Sequence, residues 1–317
     1  KYGKGNYFGK YCINPALISS QEEKNEILKS VDVMIYIGDT TGYSYISIEP
    51  KEVWRVNPDG EARDLFRSTS KVFSMAEKVF FRHYVSMGNK TEMTYFNQWQ
   101  GVDERLREII PDVPFSNAWL AKVSKDNFPC NAIVHLAILN TLRVWNLFSD
   151  KNLLPTFSNT GGFGIDGCMS AMIGASLADE ENHIYFSVIG DLSFFYDMNV
   201  LGNRHIRNNV RIILVNNGMG VEFKNYGHMG RAFGQDTDEY IAAAGHYGRQ
   251  STTLVRHYAE DLGFEYMRAR NKVEYKENMA RFFMKELTDK PLLMEVFTNP
   301  EDESRAIEIL YNLERKD

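Results

Sequence analysis

Residues 183–220 read HIYFSVIGDLSFFYDMNVLGNRHIRNNVRIILVNNGMG, and this stretch decides the fold. The apolar run His183 to Ile189 predicts a buried strand. It stops at Gly190-Asp191-Leu192-Ser193. Apolar residues at helical spacing follow (Phe195, Met198, Leu201), and a second buried strand, Val210 to Val215, ends at Asn216-Asn217. Strand, tight turn, helix and strand make a right-handed βαβ unit, whose two strand ends point to the same sheet edge. Ligands of open α/β sheets bind at that edge. Asp191 brings a carboxylate there and Asn217 a side-chain carbonyl, both hard oxygen donors suited to Mg²⁺. The helix that starts after Asp191 has free N–H groups and a positive dipole end, which favour a phosphate. A cation site beside an anion site predicts a metal-bridged diphosphate.

Asn217 follows Asp191 by 26 positions. Gly-Asp closed by a paired Asn at that distance resembles the thiamine diphosphate (ThDP) signature. The longer text GDLSFFYDMNVL, with GIDG at Gly164–Gly167 upstream, resembles the SEPHCHC synthase (MenD) family of menaquinone biosynthesis. The plainer alternative makes Asp191 a helix N-cap and the Asn pair a turn. The chain contains a decoy for that case: Ile37-Gly38-Asp39-Thr40 also follows an apolar run, Val33 to Ile37, with no Asn pair at the needed distance, and reads as structural.

Composition fits a folded α/β chain. The 317 residues are enough for two domains; 44% are hydrophobic and 25% charged. A net charge of −6 gives no basic patch for nucleic acid or anionic membrane. Cys12, Cys130 and Cys168 are odd in number and far apart, pointing to a reducing cytoplasm rather than a disulfide or zinc scaffold. No apolar run reaches membrane-spanning length and no signal peptide opens the chain.

The expected fold is a doubly wound, mostly parallel α/β sheet, the ThDP diphosphate-binding domain, over residues 114–317. A partial Rossmann-like domain is expected over residues 1–86 and a linker over 87–113. In the first part, Ser20 to Ser30 reads as helical and Val31 to Ile37 and Glu52 to Val56 as strands. Asn57-Pro58-Asp59-Gly60 is a turn, and Lys71 to Tyr84 reads as an amphipathic helix. The linker holds one helix, Val102 to Ile109. In the second part, Asn117 to Val123 reads as helix, Asn131 to Leu139 and Leu154 to Phe157 as strands, and Cys168 to Ala178 as a helix of small residues. Val221 to Gly248, rich in Gly and aromatics, reads as a loop covering a site. Helices Ser251 to Leu262 and Val273 to Leu287, strand Leu292 to Phe297 and helix Glu303 to Leu313 complete the chain.

The resemblance implies roles by position. Asp191, Asn217 and the carbonyl of Met219 take the metal. Gly190, Leu192, Ser193 and Gly220 belong to the diphosphate cradle, with Leu192 and Ser193 donating to phosphate oxygens; for Ser193 alone, helix capping is the plainer reading. Gly164 and Ile165 match the wedge that bends the cofactor; a core isoleucine before a helix cap at Asp166 is the alternative. His228 and His246 sit in Gly-His contexts of the covering loop without metal-ligand spacing. They read as loop packing first and as substrate contacts second.

Two positions depart from the family. Its Arg in an Asn-Arg-Gly triplet is Thr160 here, and a second Arg is displaced to Arg143, with Trp145 in the expected place. Glu222 replaces an apolar residue near the substrate. Fold and cofactor carry over on this resemblance; isochorismate, whose carboxylates those arginines serve, does not. The family also takes an activating Glu from an N-terminal pyrimidine-binding domain, usually across a dimer interface, so the chain is expected to be a C-terminal part. It has no catalytic residue of its own by this reading. Two functions follow: the Mg²⁺/ThDP part of a 2-oxo acid decarboxylase or carboligase with an unassigned acceptor, homodimeric or larger, or an inert ThDP-fold binding domain. A dinucleotide dehydrogenase is disfavoured because no GxGxxG follows a strand.

Overall fold

The structure, a computed structural model, describes residues 13–38, 48–88, 92–149, 154–181, 183–243 and 250–315. Asp39 of the decoy, His246 and Cys12 lie outside the described residues. The chain divides into two compact units: residues 15–110 with those from Tyr311 onward, and residues 111–310 with those up to Asn14.

The smaller unit opens with helix α1 (Ala16–Ser20) and carries a three-stranded parallel sheet of β1 (Val33–Ile37), β2 (Glu52–Val56) and β3 (Thr69–Phe73), in that order. Helices α2 (Glu77–Met87) and α3 (Thr94–Glu108) follow. Thr69–Phe73 corrects the helix expected from Lys71: an edge strand with polar Thr69, Ser70 and Lys71 lacks the alternation that announces a strand. Ser20 to Ser30 is helical only as a 3₁₀ turn, Glu26–Lys29, and α3 is twice as long as the helix read from Val102. Phe80 of α2 packs edge-on against Phe73 at 4.9 Å, which seats the helix on the sheet. The Asn57–Gly60 turn is held from below. Arg55, fully buried, donates from its two terminal nitrogens to both Asp59 oxygens at 2.6 and 2.8 Å and to the Glu61 carbonyl at 2.7 Å.

The larger unit is a six-stranded, all-parallel sheet. Its strands are β4 (Ala132–Leu136), β5 (Thr156–Phe157), β6 (Ile184–Gly190), β7 (Val210–Asn216), β8 (Glu265–Ala269) and β9 (Leu292–Phe297), in the order β5-β4-β6-β7-β9-β8. The helices are α4 (Asn117–Ser124), α5 (Asn140–Leu147), α6 (Cys168–Ala178), α7 (Asp191–Asp197), α8 (Asp238–Ile241), α9 (Leu254–Asp261), α10 (Lys272–Phe282) and α11 (Pro300–Tyr311). The chain runs from β4 outward to β5 and returns to β6 on the other side of β4. The switch point of this sheet therefore lies between the carboxyl ends of β4 and β6.

Every residue of β7 and β9 is buried, as covered parallel strands require. On one face Met169, Met172 and Ile173 of α6 pack on Tyr185, Ile189, Ile212 and Leu214. Phe186 looks to the other face, where Phe128, Phe282 and Phe283 lie within 5.0–5.9 Å of its ring. The expected strand to Leu139 stops at Leu136, and the missed helix α5 begins at Asn140. Strand β8 was unforeseen, α10 ends at Phe282 rather than Leu287, and the covering segment holds short 3₁₀ turns, Val221–Lys224 and Met229–Thr237, and α8. No described helix is long and apolar enough to cross a membrane.

Arg211 of β7 is fully buried and has no carboxylate bonded to it among the described residues. Its guanidinium donates to the carbonyls of Phe282, Met284 and Glu286 at 2.8, 2.5 and 2.7 Å and lies 5.4 Å from the Phe186 ring. It staples the loop after α10 to the sheet, and burial pulls its pKa down to about 10. Arg211→Met keeps the stem volume but strips three carbonyls of their donor. The expected loss of unfolding free energy is about 3 kcal/mol, read as a lower urea midpoint at an unchanged slope; an unchanged midpoint contradicts the stapling role.

Candidate functional site

The carboxyl ends of β4, β6 and β7 surround a cavity of about 90 Å³. It is lined by residues 137–141 after β4, residues 190–193 at the end of β6, and Val215, Asn217 and residues 219–223 at and beyond the end of β7, with Ile165 and Asn117. Of the residues singled out in the sequence, Ile165, Gly190, Asp191, Leu192, Ser193, Asn217, Met219, Gly220 and Glu222 line it. Gly164, Thr160, Arg143 and His228 are not among its lining residues.

Asp191 is the centre of the arrangement. It follows the last residue of β6 and is only 1% exposed. One carboxylate oxygen accepts the Leu192 N–H at 2.7 Å; the other accepts the N–H groups of Asn217 at 2.8 Å and Gly218 at 2.6 Å. The turn after β7 can present those two N–H groups because Gly218 takes a φ of +85°, which costs a glycine nothing. Burial pushes the Asp191 carboxyl up to about 7 against the pull of these hydrogen bonds.

In the same cavity the side-chain carbonyl of Asn217, Oδ1, is buried with no hydrogen-bond partner among the described residues. An orphaned buried amide oxygen is costly unless something outside the chain binds it. Among the described residues no three His, Cys, Asp or Glu side chains converge. Any cation here therefore meets one carboxylate, an amide oxygen and backbone carbonyls. That is a hard, all-oxygen set completed by ligand and water, and it fits Mg²⁺ rather than a thiolate- or imidazole-loving metal. The Met219 carbonyl accepts Val221 N–H at 2.8 Å, which uses one of its two lone pairs.

The neighbouring turn is braced from behind. Asn216 donates through Nδ2 to Glu295 at 2.6 Å, and Tyr266 donates its hydroxyl to the other Glu295 oxygen at 2.7 Å. The Asn216 carbonyl accepts from Gln250 at 2.6 Å and from Thr298 N–H at 3.0 Å. Gly220 N–H bonds the Ile241 carbonyl at 2.7 Å and Ala243 N–H bonds Gly218 at 3.0 Å, so the covering segment is tied to the turn.

Two donors expected to meet phosphate are engaged within the chain. The Leu192 N–H goes to Asp191, and the Ser193 hydroxyl donates to the Ile165 carbonyl at 2.5 Å. The second bond fixes the GIDG loop against α7, with Ile165 half-buried at the cavity wall. Asp166 is exposed and does not cap α6; Asp197 does, accepting Ser170 N–H at 2.6 Å. Sequence reasoning missed the 137–141 segment, where Leu139 holds a φ of +69° at the start of α5. An Asn opening a helix was its available signal.

Arg143, in the first turn of α5, is ion-paired with Glu222, which lines the cavity. Asn225 donates to Asn140 at 2.7 Å beside it. His228 accepts Gly230 N–H at 2.9 Å and meets Phe223 edge-on at 5.3 Å; burial, then the Arg143 charge, holds its pKa down. These contacts are loop packing, and they leave Nδ1 no room for a metal.

Residues 141–296 match the family Thiamine pyrophosphate enzyme, C-terminal TPP binding domain. Outside it, similarity extends over most of the chain. A 2-succinyl-5-enolpyruvyl-6-hydroxy-3-cyclohexene-1-carboxylate synthase of Bacteroides fragilis is 33% identical over 83% of this chain and 45% of its own length. The synthase of the same name from Bacteroides thetaiotaomicron is 31% identical over the same shares. That of Desulfotalea psychrophila is 25% identical over 93% of this chain and 53% of its own. The chain spans about half the length of the curated relatives it matches.

Behind the cavity lies a second buried acid. Glu303, fully buried in α11, accepts Asn117 N–H at 3.0 and 3.1 Å and the Thr298 hydroxyl at 2.8 Å. Burial, helped by the negative charge of Asp191, pushes its carboxyl from 4.5 up to about 7. Below its ordinary value both folded and unfolded chains hold the proton. As pH rises from about 4.5 to about 7 the unfolded chain ionises first, so Glu303 costs stability over that window. Glu303→Gln removes this titration. The variant is expected to gain on the wild type in urea midpoint between pH 5 and pH 7.5; a constant difference contradicts the buried neutral acid.

Proposed function

We propose that the chain is the Mg²⁺- and diphosphate-binding part of a ThDP-dependent 2-oxo acid decarboxylase or carboligase of the SEPHCHC synthase kind, dimeric or larger in its full-length form. One observation carries the reading: Asn217 Oδ1, buried and without a hydrogen-bond partner among the described residues, lines the same cavity as the Asp191 carboxylate at the carboxyl edge of a parallel sheet. Both oxygens face a need that a divalent cation meets, and the matched family binds thiamine pyrophosphate.

In this reading Asp191, Asn217 and the Met219 carbonyl hold the cation, and through it the diphosphate. Asp191 does so as a charged ligand, because a cation reverses the effect of burial on its proton. Ile165 stands at the wall that bends the cofactor, its carbonyl pinned by Ser193. Ile138, Leu139, Val221 and Phe223 give the cavity an apolar wall that keeps water from the reacting end. When bound, ThDP supplies the electron sink that lets a 2-oxo acid lose CO₂. The activating carboxylate is the one the family takes from its pyrimidine-binding domain.

The second reading, a ThDP-fold part inert alone, is favoured by the relatives' length, about twice the matched span. The two are compatible. A polypeptide of these 317 residues is expected to bind ThDP weakly and to release no CO₂ from 2-oxoglutarate or pyruvate, since general-base help is worth roughly 10²–10⁴-fold. Turnover by it alone overturns this assignment of the activating acid.

Calorimetry of ThDP with and without Mg²⁺ tests the cation site. Asn217→Ala leaves the backbone bonds to Asp191 in place and is expected to weaken Mg²⁺-dependent binding by at least about tenfold. Asp191→Ala should abolish it, and Asp39→Ala should change nothing. Unaltered Mg²⁺-dependent affinity in both site variants removes the reading.

A further inference from the structure

Asn117 opens α4, is 1% exposed, and stands in the cavity wall. It lies outside the matched residues 141–296 and belongs to no sequence motif. Its backbone is fixed without any ligand. The N–H donates to both Glu303 oxygens at 3.0 and 3.1 Å, and the fully buried Ser116 before it caps α4 by accepting Trp119 N–H at 3.3 Å. The side chain is fixed as well. Trp145, buried in α5, donates its indole N–H to Asn117 Oδ1 at 2.9 Å. An indole N–H only donates, so this bond settles which end of the amide is oxygen. The donors left over are the two N–H groups on Nδ2, and among the described residues they meet no acceptor. A buried amide donor without an acceptor is costly, and this one belongs to a residue that lines the cavity.

The polar groups around it divide by sign. Asp191 and Asn217 Oδ1 offer oxygen, which suits a cation. The Leu192 N–H and the Ser193 hydroxyl, the donors expected for a ligand's oxygens, are spent on Asp191 and on the Ile165 carbonyl. The Gly218 and Gly220 N–H groups are spent likewise, on Asp191 and Ile241. A metal-bound oxyanion is held by hydrogen-bond donors as well as by the metal. Resting on the ThDP reading above, we infer that Asn117 is a ligand-binding residue whose Nδ2 donates to an anionic oxygen of the bound ligand. The ligands of that reading bring such an oxygen in two forms, the diphosphate of the cofactor and the carboxylate of the 2-oxo acid. Trp145 is a positioning residue: it turns the amide so that nitrogen, not oxygen, faces the cavity. An oxygen in that place repels either anion.

Two readings on the full-length protein test this. One is the calorimetric Kd of ThDP with Mg²⁺. The other is kcat/KM, per ThDP bound, for CO₂ release from 2-oxoglutarate and pyruvate at saturating ThDP. Asn117→Asp keeps an oxygen for Trp145 and replaces the donor by a second oxygen. It is expected to worsen one of the two readings by at least about tenfold, the worth of one hydrogen bond to a charged group. A weaker Kd assigns the oxygen to the diphosphate; an unchanged Kd with a lower kcat/KM assigns it to the carboxylate. Asn117→Ala should fall in the same reading. Trp145→Phe leaves Asn117 in place and frees its amide to turn, so it should fall less, and joined to Asn117→Ala it should add nothing further. Damage to the fold alone lowers the fraction of protein that binds, seen as calorimetric stoichiometry, and leaves both readings in place.

Asn117 variants that match the wild type in both readings overturn the inference while the ThDP reading stands. Losses that add in the double variant overturn the part given to Trp145. A wild type that fails to bind ThDP with Mg²⁺ overturns the parent reading and this one with it.

Discussion

The carboxylate of Asp191 joins the two strand ends on which the larger unit is built. Parallel strands leave the sheet at the same edge, and the turn after β7 has N–H groups that no ladder can use. Asp191 takes two of them, from Asn217 and Gly218, and a third from Leu192. Burying a carboxylate costs several kcal/mol unless it is well hydrogen-bonded, and burial pushes the Asp191 carboxyl up to about 7 against the pull of its backbone N–H partners. Under the proposed function a divalent cation would supply the remainder, and folding of this edge and ligand binding would then be parts of one electrostatic problem, with the proton and the cation competing for the same oxygen atoms.

The same logic shapes the layer behind. Glu295 and Glu303 are both fully buried, and among the described residues neither forms an ion pair. Their oxygens are filled by neutral donors instead: Asn216 and Tyr266 on one, Asn117 and Thr298 on the other. These donors pull both carboxyls back toward ionisation against the effect of burial, and they hold each in one orientation. Through Asn216 and through Thr298, which bonds the Asn216 carbonyl, both acids bear on the turn that carries Asn217. The backbone turn that carries Asn217 is braced by groups from β8, β9 and α11.

What the sequence reveals follows from burial. β6, β7 and β9 are covered on both faces, so each is a continuous apolar run that cannot be anything else, and their ends fall within one residue of expectation. The Asp191–Asn217 spacing marks the site because a βαβ unit fixes which residues share an edge. Edge elements hide. β3 (TSKVF) and β8 (EYMRA) carry polar residues on their open sides and lose the pattern, and α5 is masked by the apolar run that precedes it. Side-chain bookkeeping hides as well. Nothing local to Ser193 tells that its proton goes to Ile165, 28 positions away, or that Leu192 spends its N–H on its own neighbour.

The pairing of Arg143 with Glu222, 79 positions apart, is of that second kind, and it changes what each residue means. Taken singly, an Arg near a substrate site invites a carboxylate and a Glu repels one. Paired, with the Glu on the cavity side, they offer an acceptor held in place. The segment that carries Glu222 is also continuous with the cation turn: Asn217 to Glu222 is five peptide units, pinned at Gly218 and Gly220 to the 241–243 strand of backbone and at Asn225 to α5. So short a path, fixed at both ends, leaves little slack. The turn that carries Asn217 and the segment that carries Glu222 are therefore one short ribbon of backbone along the cavity.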